Sequence, residues 1–244
     1  MKAPQWVRAT AVTLIVAALL TLTGCLYPED QTPGNDGSVR QAVLAVQDSV
    51  DRYREQSGLL PIQNADASVP LYEKYKIDFG KLKRMGFIGQ VPSAAFENGG
   101  EFQFLVIDEE TNPQVKLLDL ATYQTITDVQ KKVDAYRAAH ADKLPAGAEL
   151  YAGYPSIDFG KLGMKEPDIV SVYSRQTLNA MLDGNGQVRV DYGIDIVTAI
   201  KKSGAEPKPD EDLRRVLIEQ SYYVPVKSPE YVWTNGEPVP VAVH

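Results

Sequence analysis

Ile77-Asp78-Phe79-Gly80-Lys81-Leu82 recurs without change as Ile157-Asp158-Phe159-Gly160-Lys161-Leu162. Outward from this box the match continues. Tyr72 and Tyr75 precede the first copy, and Tyr151 and Tyr154 precede the second, which carries one extra residue. Further upstream, Leu60-Pro61 returns as Leu144-Pro145. Val46-Gln47, Val50-Asp51 and Tyr53-Arg54 return as Val129-Gln130, Val133-Asp134 and Tyr136-Arg137. Downstream the likeness is looser: Val106-Ile107-Asp108 then Gln114-Val115-Lys116, against Met181-Leu182-Asp183 then Gln187-Val188-Arg189. Matches in the same order along the chain read as a tandem duplication.

Each copy has the same expected layout. Val43, Val46, Val50 and Tyr53 lie on one face of a helix, and Ile126, Val129, Val133 and Tyr136 repeat that spacing. Ser57-Gly58 stops the first helix, and each Leu-Pro pair holds the chain extended beyond its helix. The Tyr-x-x-Tyr and Ile-Asp-Phe-Gly-Lys-Leu boxes read as an extended entry and a short helical turn. A β-hairpin follows. In copy one, 102–107 and 115–120 flank the turn 108–113. In copy two, 180–182 and 188–192 flank Asp183-Gly184-Asn185-Gly186, a strong turn signal. Helices and strands are segregated within each copy, so the expected fold class is α+β, with two tandem helix–loop–β-hairpin modules and a C-terminal extension. The modules are expected over 39–122 and 123–193, and the extension over 194–244. Within the extension, 194–202 reads as a helix and 210–220 as a short one with acids near its start. From Tyr222 the chain alternates Val, Pro and Tyr, which suits an edge strand.

The N-terminus reads as an export signal over residues 1–24. Lys2 and Arg8 precede an uncharged apolar run over 9–22, too short to span a bilayer comfortably. Leu22-Thr23-Gly24-Cys25 resembles the lipobox of bacterial lipoproteins, which implies cleavage before Cys25 and a diacylglycerol anchor on its thiol. Cys25 is the only cysteine, so it has no disulfide partner. Residues 25–38 read as a polar, Pro/Gly-rich tether. The expected location is the extracytoplasmic face of the cell membrane.

The formal net charge is −7. An acidic domain is repelled by anionic headgroups beyond its anchor, and the same charge argues against nucleic acid as a partner. With no further cysteine, thiolate metal sites and disulfides are unavailable to the mature chain; no metal and no cofactor is expected.

Catalytic signals are sparse. The two histidines, His140 and His244, lie in no Ser-His-Asp motif, and there is no phosphate loop or His-Glu-x-x-His. Glu109-Glu110 and Asp210-Glu211-Asp212 read as solvated acids, without the desolvation that separates an acid from a base. Asp183-Gly184-Asn185-Gly186-Gln187 has the alternating oxygens of a calcium loop but lacks its glycine at position six and its closing glutamate, so a hairpin turn is the better reading. The boxes remain the candidate binding surface: Tyr72, Tyr75, Tyr151 and Tyr154, with Asp78, Asp158, Lys81 and Lys161 as polar contacts, suited to sugar or peptide. Against this, Ile, Phe and Leu fill a core, Asp caps a short helix and Gly permits close approach. A motif present twice is more readily a folding element than one active site, so the structural reading is favoured.

With the lipobox, the helix ending before Leu-Pro and the Tyr-x-Ile-Asp-Phe-x-Lys-Leu box together, the chain resembles a family of uncharacterised lipoproteins of spore-forming Gram-positive bacteria. Some members are labelled as binding-protein components of ABC transporters. Tyr53, Gly58 and Pro61 also resemble the helix-to-sheet junction of pseudopilins, although the prepilin leader is missing. The expected function is a non-enzymatic interaction or structural module of the envelope, with a protein or cell-wall partner. The alternative is a solute-binding lipoprotein of an ABC transporter, which requires two parallel α/β lobes around a cleft. A carboxylate-based envelope enzyme is the third reading.

Overall fold

A computed structural model describes residues 37–242 except 205, 209 and 210. The expected signal over 1–24, Cys25 and the expected tether up to residue 36 lie outside the described residues. The first described helix, α1 (Gly37–Ser57), already includes the last two residues assigned to the tether. Val39, Val43, Val46, Val50 and Tyr53 form its buried stripe. It ends where expected, because Gly58 takes a φ of +69°, a left-handed conformation that glycine adopts without strain.

Beyond it come α2 (Leu71–Lys74), β1 (Tyr75–Lys76) and α3 (Phe79–Arg84), then β2 (Phe102–Ile107) and β3 (Gln114–Asp119). These strands form an antiparallel sheet in the order β1-β2-β3. The second helix, α4 (Leu120–Ala139), starts directly after β3, so the expected module boundary at 122/123 falls inside a helix. Asp119 fixes that start by accepting bonds from the Thr122 amide at 3.0 Å and the Thr122 hydroxyl at 2.6 Å.

The second half holds β4 (Ala146–Tyr151), β5 (Tyr154–Ile157), β6 (Ile169–Val170), β7 (Thr177–Leu178), β8 (Ala180–Leu182) and β9 (Val188–Val190). Its main sheet runs β4-β5-β8-β9, and β6 pairs with β7. The extension follows as α5 (Gly193–Ser203), α6 (Arg214–Glu219) and the hairpin β10 (Tyr231–Thr234) with β11 (Glu237–Pro240). The fold is α+β, with helices packed on small antiparallel sheets.

The two halves make the same bonds at matching places. Gln47 lies on α1 and reaches the first hairpin. Its Oε1 accepts from the Val115 amide at 2.7 Å, and its Nε2 donates to Pro113 O at 3.1 Å. Gln130 on α4 does the same to the second hairpin, with Val188 N at 2.6 Å and Gly186 O at 3.0 Å. The amide of Asp78 donates to Pro61 O at 2.7 Å, and that of Asp158 to Pro145 O at 2.8 Å. The register corrects one detail of the sequence comparison. Val106 faces Val115 and Leu182 faces Val188, while Lys76 faces Leu105 and Ser156 faces Met181. Val106 therefore corresponds to Leu182, one residue beyond the Met181 assigned by sequence. In a strand a slip of one residue exchanges the two faces.

The core has three parts. One lies between α1 and the first sheet, around Val46, Phe79 and Phe104. Another joins α4, α5 and the second sheet, around Val133, Leu182 and Ile196. A smaller cluster covers the opposite face of the first sheet, where Leu105, Ile107 and Leu118 meet Ile218, Val224 and Val226. The extension thus adds more than an edge strand. Leu117 N donates to Tyr222 O at 2.8 Å and Val224 N to Leu117 O at 2.9 Å, tying the tail to β3, while Val190 N donates to Lys227 O at 3.1 Å on β9.

Candidate functional site

The four box tyrosines do not converge. Tyr72 is buried, with the Arg214 guanidinium 5.0 Å from its ring centre. Burial holds its phenol above the usual value. Tyr154 is wholly buried, and its hydroxyl donates to Val241 O at 2.6 Å. Neither ring stands on a surface. Tyr75 is half-buried, and its hydroxyl, hydrogen-bonded to Glu109, is shifted upward mainly by that bond. Tyr151 is half-buried in a cleft of the second half. The extra residue of the second copy matters here. Counting back from the paired positions Lys76 and Ser156, the place of Tyr75 is taken by Pro155.

The two aspartates of the boxes are helix and turn caps. Asp78 Oδ1 accepts from the Lys81 amide at 2.8 Å at the start of α3. Asp158 Oδ1 accepts from the Lys161 amide at 3.2 Å, and this backbone bond lowers its pKa. Lys161 also pairs with Asp158 at 3.3 Å, an exposed contact of little energetic weight.

The other acids resolve similarly. Asp183 is fully buried in its hairpin. Its Oδ1 accepts from the Asn185 and Gln187 amides, each at 2.9 Å, and its Oδ2 takes the Arg189 guanidinium at 2.9 Å. Asp212 is half-buried and held by Arg214 at 2.7 Å, so it is not a freely solvated acid. Among the described residues, no cluster of three or more His, Cys, Asp or Glu is arranged to hold a metal ion.

Two clefts occupy the same place in the two halves. In each hairpin the cross-strand pair before the following helix lines the opening: Gln103 with Leu118, and Asn179 with Asp191. The first residue of the next helix, Leu120 or Gly193, completes the correspondence. Sequence comparison did not reveal this, because the paired residues differ in type and the register had slipped by one.

The first cleft, about 330 Å³, has Glu73, Gln103, Leu118 and Tyr123 in its walls, with Lys74 and Lys76 beside them. The second, about 370 Å³, holds Tyr151, Asn179 and Asp191. Asp191 is engaged there on both oxygens. It accepts from the Tyr231 hydroxyl at 2.8 Å, the Gly193 amide at 2.9 Å and the Tyr151 hydroxyl at 3.1 Å. Burial first, and the Asp191 charge second, hold the Tyr151 phenol well above its usual pKa. A third, larger cleft of about 630 Å³ lies by the starts of α1 and α4, lined in part by Ser38, Thr122 and Arg175.

The chain is thus an α+β protein with paired clefts in two similarly bonded halves. Residues 39–119, about a third of the chain, match the YphF family N-terminal domain. No match was found among curated proteins or among solved structures.

Proposed function

We infer that this is an extracytoplasmic lipoprotein, anchored by lipid on Cys25, whose described part is a non-enzymatic binding or interaction module of the cell envelope. The observation that carries the reading is the export signal ending in Leu22-Thr23-Gly24-Cys25, placed just ahead of the polar residues that lead into α1. The span from Cys25 to Gly37 reaches at most about 40 Å when extended, so the folded part stays close to the bilayer. The duplicated arrangement presents two related clefts to the envelope. In the second cleft the acid supports binding over chemistry, because Asp191 is occupied as an acceptor for two phenols and an amide. No helix among the described residues is long and apolar enough to cross a membrane.

The solute-binding alternative requires two lobes of parallel sheet around one deep cleft; here the strand pairs are antiparallel. It therefore has less support than the interaction reading.

Cys25→Ser tests the anchor. Metabolic labelling with a fatty acid should mark the wild type and not the variant, and the variant should leave the membrane fraction. A Cys25→Ser protein that stays lipid-labelled and membrane-bound refutes the anchor.

A further inference from the structure

We propose that the first cleft binds a small zwitterion, an α-amino acid or dipeptide, with its ammonium on Glu73 and Gln103 and its carboxylate at Lys76. Gln103 is 7% exposed. Its Nε2 faces two acceptors, Glu97 Oε1 at 3.0 Å and Phe104 O at 3.4 Å. That pairing fixes which end of the amide is nitrogen, so Oε1 is left as an acceptor, with no donor among the described residues. Glu73 is 6% exposed and has one oxygen engaged, Oε2, which takes Lys227 Nζ at 2.8 Å. Its Oε1 has no donor among the described residues either. Among the described residues, the wholly enclosed side-chain atoms without partners are Tyr173 Oη and Asp195 Oδ1. The free oxygens of Gln103 and Glu73 are therefore not sealed in, and the opening available to both residues is the cleft they line.

Two acceptors that the protein itself leaves without donors open on one cleft and suit a donor-rich ligand group. An ammonium group supplies three donors in one small volume. A bare cation fits poorly, because Lys74 and Lys76 line the same cleft and Lys227 already pairs with Glu73. A bare anion fits poorly too, because it brings no donor to the two oxygens. A zwitterion meets both demands. Lys76 is the cation placed for the carboxylate: it lies on the same sheet face as Gln103, one cross-strand row away, and makes no ion pair among the described residues. Lys227 is held by Glu73 and sits 4.5 Å over the Tyr123 ring, and Lys74 Nζ lies 5.3 Å from the Tyr75 ring centre. Leu118, Leu120 and Tyr123 give the apolar wall that a ligand of this size requires, and the volume falls at the small end of ligand pockets. The proposal deepens the binding reading above and does not depend on the lipid.

The test is calorimetric titration of the full-length protein in detergent with the proteinogenic amino acids and with alanyl-alanine, each to about 10 mM, which detects sites as weak as about 1 mM. At least one zwitterion should bind saturably, one per chain. Its N-acetyl derivative, which lacks the ammonium, and its amide, which lacks the carboxylate, should each bind at least about tenfold more weakly. Lys76→Gln, on the rim, should weaken binding about tenfold with an unchanged melting temperature, and Gln103→Met should weaken it further. Cys25→Ser protein should bind as the wild type does, so a failed anchor and a failed cleft read out separately. Absence of any saturable zwitterion, or an N-acetyl derivative that binds as tightly as its parent, overturns the proposal.

Discussion

Lys116 is the residue whose setting departs furthest from what its type suggests. It lies on β3 with 6% of its surface exposed, and its Nζ donates to Ile218 O at 2.7 Å and Ser221 O at 2.8 Å. Those carbonyls belong to the end of α6 and the turn beyond it, where a cation is electrostatically welcome. Burial nevertheless pushes the ammonium down to about 8 from 10.5. Between those two values the unfolded chain holds a proton that the folded chain has released. This group's contribution to stability is therefore lowest below about pH 8 and rises toward pH 10.5. In Lys116→Met that rise should vanish from urea unfolding curves measured across the window. The variant should also lose about 1–3 kcal/mol at pH 7, because two buried carbonyls lose their donor. A wild type and variant with parallel pH profiles would contradict the assignment.

At the scale of elements, the repeated Val-Gln-x-x-Val carries more information than its hydrophobic spacing. The valines bury the helix, and the glutamine between them fastens the helix to its own hairpin with a two-way amide clasp in each half. Gln47→Leu and Gln130→Leu should each cost about 1–3 kcal/mol, since each strands a hairpin amide and a carbonyl. The two clasps lie in separate halves, so the double variant should show the sum to within about 0.5 kcal/mol. Denaturant titration decides, and a negligible cost at either position would mean that the clasp is not structural. Much at this scale was legible in the sequence: the end of α1 at Ser57-Gly58, both hairpins and α5 stand within a residue or two of expectation. The strands β4, β6 and β7 were not legible: β6 and β7 are two residues each, and β4, though six residues long, is mostly exposed and lacks an apolar period.

Over the whole molecule, the C-terminal extension decides cohesion. Its residues bond to β3 through Leu117 and to β9 through Val190, and Tyr231, wholly buried, accepts Leu213 N through its carbonyl at 2.9 Å while its hydroxyl reaches Asp191. Tyr173 packs against the core of either half. Removing residues 222–244 should therefore abolish the single cooperative transition and leave both halves with weakened amide protection in hydrogen exchange. Retention of the full-length midpoint and of protection on β3 and β9 would show instead that the halves hold themselves.

The sequence by itself determined the helix faces, the hairpins and the α+β class, because each is written in local periodicity or turn chemistry. It also supplied the lipobox on which the proposed anchoring stands. Only the tertiary structure decided which tyrosines are core. Tyr72 and Tyr154 look like Tyr75 and Tyr151 in sequence, and what separates them is contact with Arg214 and Val241, both distant in the chain. The clefts, the exact register of the second hairpin and the stitching role of the tail were likewise settled in three dimensions. They depend on pairings between residues far apart in sequence, and local pattern does not encode which distant strand, carbonyl or charge a side chain will meet.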